Sequence, residues 1–312
     1  MGYSAVLMSK LHSIAGLVAA THTPFHPDGT LNLKAVEAQA ERLLLWNVTS
    51  VFIGGSTGES HSLTLDERRA LTKQWMEVTR DTPMQVIVHT GSNCIEESAI
   101  LATQAAATGA AAVSALAPSY FKPQTTEALI SCCLRTASAA PDLPFYFYHI
   151  PGLTGVSFPM TDFLEKAAVK IPNLAGIKFS APDLMTCLQC LQLNDQKWDI
   201  LWGTDEWLLG ALAIGVQGAV GSSYNFAAPL YHRMIAAFNK GDLATARLEQ
   251  FRSTELIRTL AKFGYMGAAK ATMAMLGVDV GPARLPNASL NKEQISALHR
   301  ELETIGFFDW TR

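Results

Sequence analysis

Charge is the first thing this chain is short of. Asp, Glu, Lys and Arg make up 16% of its 312 residues, against roughly 25% in an average soluble domain. The net charge is −3 and no Lys/Arg stripe is present, so nucleic acid is not an expected partner. Long apolar runs are missing too: nothing approaches the roughly 20 residues that a membrane helix needs. The apolar runs 5–8 and 16–20 imitate a secretory leader. Lys10 and His12 interrupt that stretch, however, and the second run reads as a strand, so the chain is expected in the cytoplasm. Cysteine is scarce and irregular. Cys94, Cys132, Cys133, Cys187 and Cys190 are odd in number and lack framework spacing, which argues against a disulfide scaffold. Cys187 and Cys190 form a lone C-x-x-C inside an amphipathic helical pattern, with no second ligand pair to make a zinc site. Internal repeats and low-complexity segments are absent.

Apolar residues, by contrast, reach 49%. A large buried sheet or burial against other subunits would account for that. Short β-rich runs at 17–20, 50–53, 85–89, 112–116, 145–148, 174–178, 199–202 and 219–221 alternate with helical patterns such as 33–46, 65–79 and 96–108. Thr64-Leu65-Asp66-Glu67 matches a capping box and starts a helix just after Thr64. Eight strands alternating with helices imply parallel βαβ units. The count favours an α/β fold of the (β/α)8 TIM barrel type over a doubly wound open sheet. After Phe226 only helical patterns remain, at 229–238, 243–261, 268–276 and 292–305, with a Gly/Pro-rich connector at 277–286. Residues 1–240 are thus expected to form the catalytic barrel and 241–312 a C-terminal helical extension.

In a barrel, chemistry sits where strands end. The second strand runs into Gly54-Gly55-Ser56-Thr57-Gly58-Glu59-Ser60, a turn whose backbone and hydroxyls suit an anionic oxygen pair. It lacks the spacing of a Walker loop or a dinucleotide fingerprint. Tyr120 follows the fourth strand, while Tyr148 and His149 close the fifth; each of these rings, taken alone, reads as rim packing. The sixth strand ends in Gly176-Ile177-Lys178-Phe179-Ser180. A lysine ammonium normally titrates near about 10.4. Desolvation lowers that value and frees an amine for imine formation, the alternative being a structural ion pair. The seventh strand leads to Gly203-Thr204-Asp205-Glu206 and the eighth to Gly221-Ser222-Ser223-Tyr224-Asn225. Adjacent carboxylates suit a polyol, or else the acidic first turn of a helix. Metal-ligand clusters are missing from these strand ends.

Taken in order, Gly55–Glu59, Tyr148–Val156, Gly176–Ser180 and Gly221–Asn225 resemble the dihydrodipicolinate synthase/N-acetylneuraminate lyase family of class I aldolases, over residues 16 to 286. The resemblance implies a homotetramer with its active site at the C-terminal mouth of the barrel. It implies that Lys178 forms an imine with a 2-keto acid and that Tyr148 relays protons at the C4 oxygen. Ser56 and Thr57 would hold the substrate carboxylate. Ser180, Gly203, Asp205, Glu206 and Ser222 would meet the sugar portion, and Tyr120 would support the catalytic tyrosine. The implied reaction is reversible cleavage of N-acetylneuraminate to pyruvate and N-acetylmannosamine, with no metal or organic cofactor. Dihydrodipicolinate synthases usually carry an arginine five positions after the tyrosine, to hold a second carboxylate. Here that position is Leu153, which cannot make a charge-assisted fork. A 2-keto-3-deoxy sugar acid aldolase or dehydratase is the nearest alternative within the family. A catalytically silent keto-acid or sugar sensor is the alternative outside it, disfavoured because a pure binder needs neither Lys178 nor Tyr148.

Overall fold

The computed structural model describes residues 13–195 and 197–311. The apolar run 5–8, with Lys10 and His12, lies outside the described residues. Eight strands follow one another as β1 (Gly16–Ala20), β2 (Ser50–Ile53), β3 (Gln85–His89), β4 (Ala112–Leu116), β5 (Phe145–His149), β6 (Leu174–Phe179), β7 (Asp199–Trp202) and β8 (Gly218–Gly221). They form a closed barrel in the order β1 to β8, with helices between the strands. The strand runs read from the sequence are recovered to within one residue at each end. Closure removes the doubly wound alternative. The strands are apolar and almost wholly buried, as a parallel sheet covered on both faces requires.

The chain divides into two compact units. One comprises Met1–Gly16, Val86–Thr204 and Gly210–Val220; the other comprises Leu17–Gln85, Asp205–Leu209 and Gly221–Arg312. In the first, β4 to β7 pair in parallel, with Leu116, Tyr148 and Lys178 in one register row that continues to Leu201. Alternation along β5 sorts its aromatics. Phe147 packs on Phe163 of the helix Met160–Lys170, with ring centroids 4.6 Å apart, while Tyr146 and Tyr148 share the opposite face. Tyr146 donates its hydroxyl to Asp199 Oδ2 at 2.8 Å, and the Ile14 N–H reaches the same oxygen at 2.9 Å. Burial raises the Asp199 carboxyl above the usual carboxylate range, and these donors pull it back. Cys187 and Cys190 lie in the helix Leu184–Gln192, where burial pushes both thiols up to about 12. They stay protonated and pack as small apolar groups.

In the second unit Thr64 and Glu67 form the expected capping box. Beyond β8 come the helices Tyr224–Asn239, Leu243–Lys262, Tyr265–Met275, Lys292–Thr304 and Phe307–Trp310. The first of these begins five residues earlier than the sequence pattern suggests and is kinked at Ala227, whose φ of −140° is not helical. The kink puts Pro229 within the first turn of the straight segment, where its missing N–H costs nothing.

Candidate active site

Lys178 is the penultimate residue of β6 and is 3% exposed. Its register partner on β5 is Tyr148, itself 4% exposed, and Lys178 Nζ stands 3.9 Å from the centroid of the Tyr148 ring. A cation over a phenol face is favourable, more so when both are out of water. The Tyr148 ring also meets His89 edge to face, with centroids 5.6 Å apart. His89 ends β3 and is buried; reading every strand end, β3 included, would have found it in the sequence.

Ser180 and Gly203 meet directly. Ser180 follows β6 and Gly203 follows β7, and a Cβ at position 203 would overlap Ser180 Oγ, so only glycine fits. His149 is held between Phe147 and Phe179, at 6.4 and 5.0 Å. Burial lowers its imidazole to about 4 against the opposing pull of Asp183, so it is neutral packing, as expected. Tyr120 is the contrary case. It is 79% exposed, its ring lies against the equally exposed Phe121, and its N–H is held by Asn93 Oδ1.

The glycine turn belongs to the second unit. Gly54 has a φ of 66°, and a Cβ on Gly55 would strike the Phe52 ring. Glu59 donates its N–H to Ser56 O at 3.0 Å and Ser60 to Gly55 O at 3.2 Å, closing the turn on itself. Ser56 and Thr57 sit half-buried at its crest. Its base is pinned by a buried ion pair. Glu59 Oε1 is 2.7 Å from Lys270 Nζ, and the lysine also donates to Thr23 O and Pro282 O. Glu59 Oε2 takes the Arg284 N–H and the Asn287 amide, while the Arg284 guanidinium forks onto Glu67 at 2.7 and 2.8 Å. Burial pulls the Lys270 ammonium below its usual value, and Glu59 opposes the fall. Lys270→Met leaves Glu59 buried opposite an apolar tip. Losing one partner of a buried pair costs about 3–5 kcal/mol, so the urea midpoint of unfolding should drop sharply. Lys270→Met combined with Glu59→Gln should recover part of it. A midpoint equal to the parent's in the single variant would show that the pair carries no stability.

Asp205 and Glu206 form the single 3-10 turn Asp205–Trp207 after β7, Asp205 buried and Glu206 half-buried. Asp205 Oδ2 accepts the Ser223 N–H at 3.0 Å and the Ser223 hydroxyl at 2.5 Å. Its Oδ1 lies where a Cβ on Gly221 would be, which fixes glycine there as well. Ser222, the next residue, is half-buried and shares a 2.6 Å hydrogen bond with the Tyr265 hydroxyl. Among the described residues no cluster of His, Cys, Asp and Glu could hold a metal ion, and no helix is long and apolar enough to cross a membrane.

Fold and site together define a class: a (β/α)8 barrel enzyme with a buried lysine facing a tyrosine on paired neighbouring strands. The chain belongs to the dihydrodipicolinate synthetase family, whose model matches residues 13–305. It is 40% identical over 302 residues to the N-acetylneuraminate lyase of Gallus gallus, covering 96% of this chain and 98% of that one. The Danio rerio N-acetylneuraminate lyase is 40% identical over 284 residues, with 90% and 92% covered. Among solved structures, the Proteus mirabilis N-acetylneuraminate lyase superposes with a TM-score of 0.92 at 35% identity, covering 95% of this chain and 99% of that chain.

Proposed function

We propose that the protein cleaves N-acetylneuraminate reversibly to pyruvate and N-acetylmannosamine through an imine on Lys178. The observation that carries this reading is the buried Lys178–Tyr148 pair on adjacent strands. Lys178 gives up one ammonium proton, the amine attacks C2 of the open-chain keto acid, and that proton returns to the carbinolamine, whose oxygen leaves as water to give a protonated imine. Breaking C3–C4 sends its electron pair through C3 into that imine as an enamine. The C4 hydroxyl gives up its proton toward Tyr148 as it becomes the aldehyde of N-acetylmannosamine. Protonation at C3 and hydrolysis then release pyruvate and restore Lys178. Ser56 and Thr57 hold the carboxylate. Ser180, Gly203, Asp205, Glu206 and Ser222 meet the hydroxylated tail, and no metal or organic cofactor is required.

Residues 1–240 serve as the catalytic barrel and 241–312 as its helical extension. The protein works in the cytoplasm as a homotetramer. Exposed Tyr120 and Phe121, together with the low charge content, supply the kind of surface that another copy covers.

Leu153 separates this reading from a dihydrodipicolinate synthase. It is 68% exposed on the turn Pro151–Thr154 and offers nothing to a second substrate carboxylate. A side-by-side assay of N-acetylneuraminate, 2-keto-3-deoxygluconate, and pyruvate with aspartate semialdehyde tests the assignment. Pyruvate release from N-acetylneuraminate should dominate. Preference for either of the others rejects the sialic acid assignment.

A further inference from the structure

The hydroxyls after β8 are wired in two different ways. Ser223 faces inward, and its proton goes to Asp205 Oδ2, because a carboxylate only accepts. Tyr231, 2.6 Å from Ser223 Oγ, must therefore donate to it. Ser253 in turn stands 2.8 Å from the Tyr231 oxygen and 3.3 Å from Asp205 O, so it donates there. Every proton in this circuit is spent on protein acceptors. It holds Asp205 in place and leaves no donor over.

Ser222 is wired otherwise. Its Oγ is 2.6 Å from the hydroxyl of Tyr265, which opens the helix Tyr265–Met275 of the C-terminal extension. Burial, with the charges of Asp205 and Glu206 added, holds the Tyr265 phenol above its ordinary titration range, so it stays neutral and keeps its proton. A phenol is a stronger acid than an alkyl alcohol and is the better donor of the two. With Tyr265 as the donor and Ser222 as the acceptor, the Ser222 proton is available to a ligand.

We propose that Tyr265 is a specificity-determining positioning residue, which turns Ser222 into a hydrogen-bond donor for an acceptor oxygen on the hydroxylated tail of the substrate. Glu206 is an acceptor for substrate hydroxyls, and so is whatever capacity Asp205 retains after Ser223. Neither can recognise a carbonyl or ether oxygen. Ser222, oriented by Tyr265, supplies the missing donor, and together they select a tail carrying both hydroxyls and an acceptor such as an acyl-amino carbonyl. This rests on the assignment of Ser222 to the tail subsite made above.

A double-mutant cycle on kcat and KM tests it, using Tyr265→Phe, Ser222→Ala and both together, with borohydride trapping of the pyruvate imine alongside. One neutral hydrogen bond corresponds to roughly 3- to 10-fold. Each single variant should raise KM for N-acetylneuraminate by about that factor, with trapping by pyruvate at parental rates. The double variant should be no worse than Ser222→Ala alone, because Tyr265 acts only through Ser222. Losses that multiply, an unchanged KM in Tyr265→Phe, or a fall in trapping that matches the loss of cleavage would overturn the proposal. If the parent protein cleaves a different hydroxylated keto acid, the sialic acid assignment fails while the same cycle, run on that substrate, still decides the role of Tyr265. A parent protein that cleaves neither overturns both.

Discussion

Lys178→Met should lose cleavage by roughly 10⁴- to 10⁶-fold, the scale on which a covalent nucleophile is missed, and should trap no pyruvate under borohydride. Methionine is the informative replacement because Lys178 is 3% exposed. An unbranched apolar chain fills the space of the lysine stem and removes only the amine. The variant should be folded, since methionine conserves most of the buried volume, and its circular dichroism spectrum should match the parent's. Peptide mapping of the parent after pyruvate and borohydride should place the added mass on Lys178. An adduct on another lysine, or turnover in Lys178→Met within about 100-fold of the parent, would end the assignment, because the mechanism has no other electron sink.

Tyr148→Phe should separate two jobs of one ring. Lys178 Nζ lies over its face and the His89 ring meets it edge to face, and phenylalanine keeps both contacts. Only the hydroxyl goes. Imine formation from pyruvate should therefore persist, while C3–C4 cleavage, which needs a proton acceptor at the C4 oxygen, falls by about 10²–10⁴-fold. Single-turnover measurements distinguish the two steps: fast trapping followed by slow aldehyde release. Near-parental cleavage would remove Tyr148 from proton transfer. Loss of trapping and cleavage together would instead make the hydroxyl part of the lysine's own environment.

Strands were the legible part of this fold. β-rich runs of three to five residues between turn signals locate β1 to β8, and glycine, hydroxyl, tyrosine and lysine at their ends mark the candidate site. Closure of the sheet is legible in the count of eight strands alternating with helices and not in periodicity, which records which face of a strand is apolar and not which strand lies beside it. The helix at Tyr224–Asn239 was read from Pro229 onward, since proline is strongest as a first-turn residue; the segment before the kink at Ala227 lacked a comparable signal. Tyr231, Ser253, Tyr265 and Lys270 were invisible as partners. They lie on helices that follow β8, and which face of such a helix returns to a strand end is settled by packing rather than by spacing. Asp205 offered two readings, a ligand for hydroxyls or an acidic helix turn. It does stand in a helical turn, and one of its oxygens is already given to Ser223.

The pinning of the glycine turn also has a meaning in time. Glu59 belongs to the early part of the chain, yet its carboxylate is gripped by Lys270 and by the backbone of Arg284, which leave the ribosome long after β8 is complete. Chains emerge N-terminus first, at about 5–20 residues per second. For some seconds a nascent chain can therefore own every strand of its barrel and still lack the clasp on its glycine turn. Strands and Lys178 come first. The last quarter of the chain arrives as the part that sets the turn.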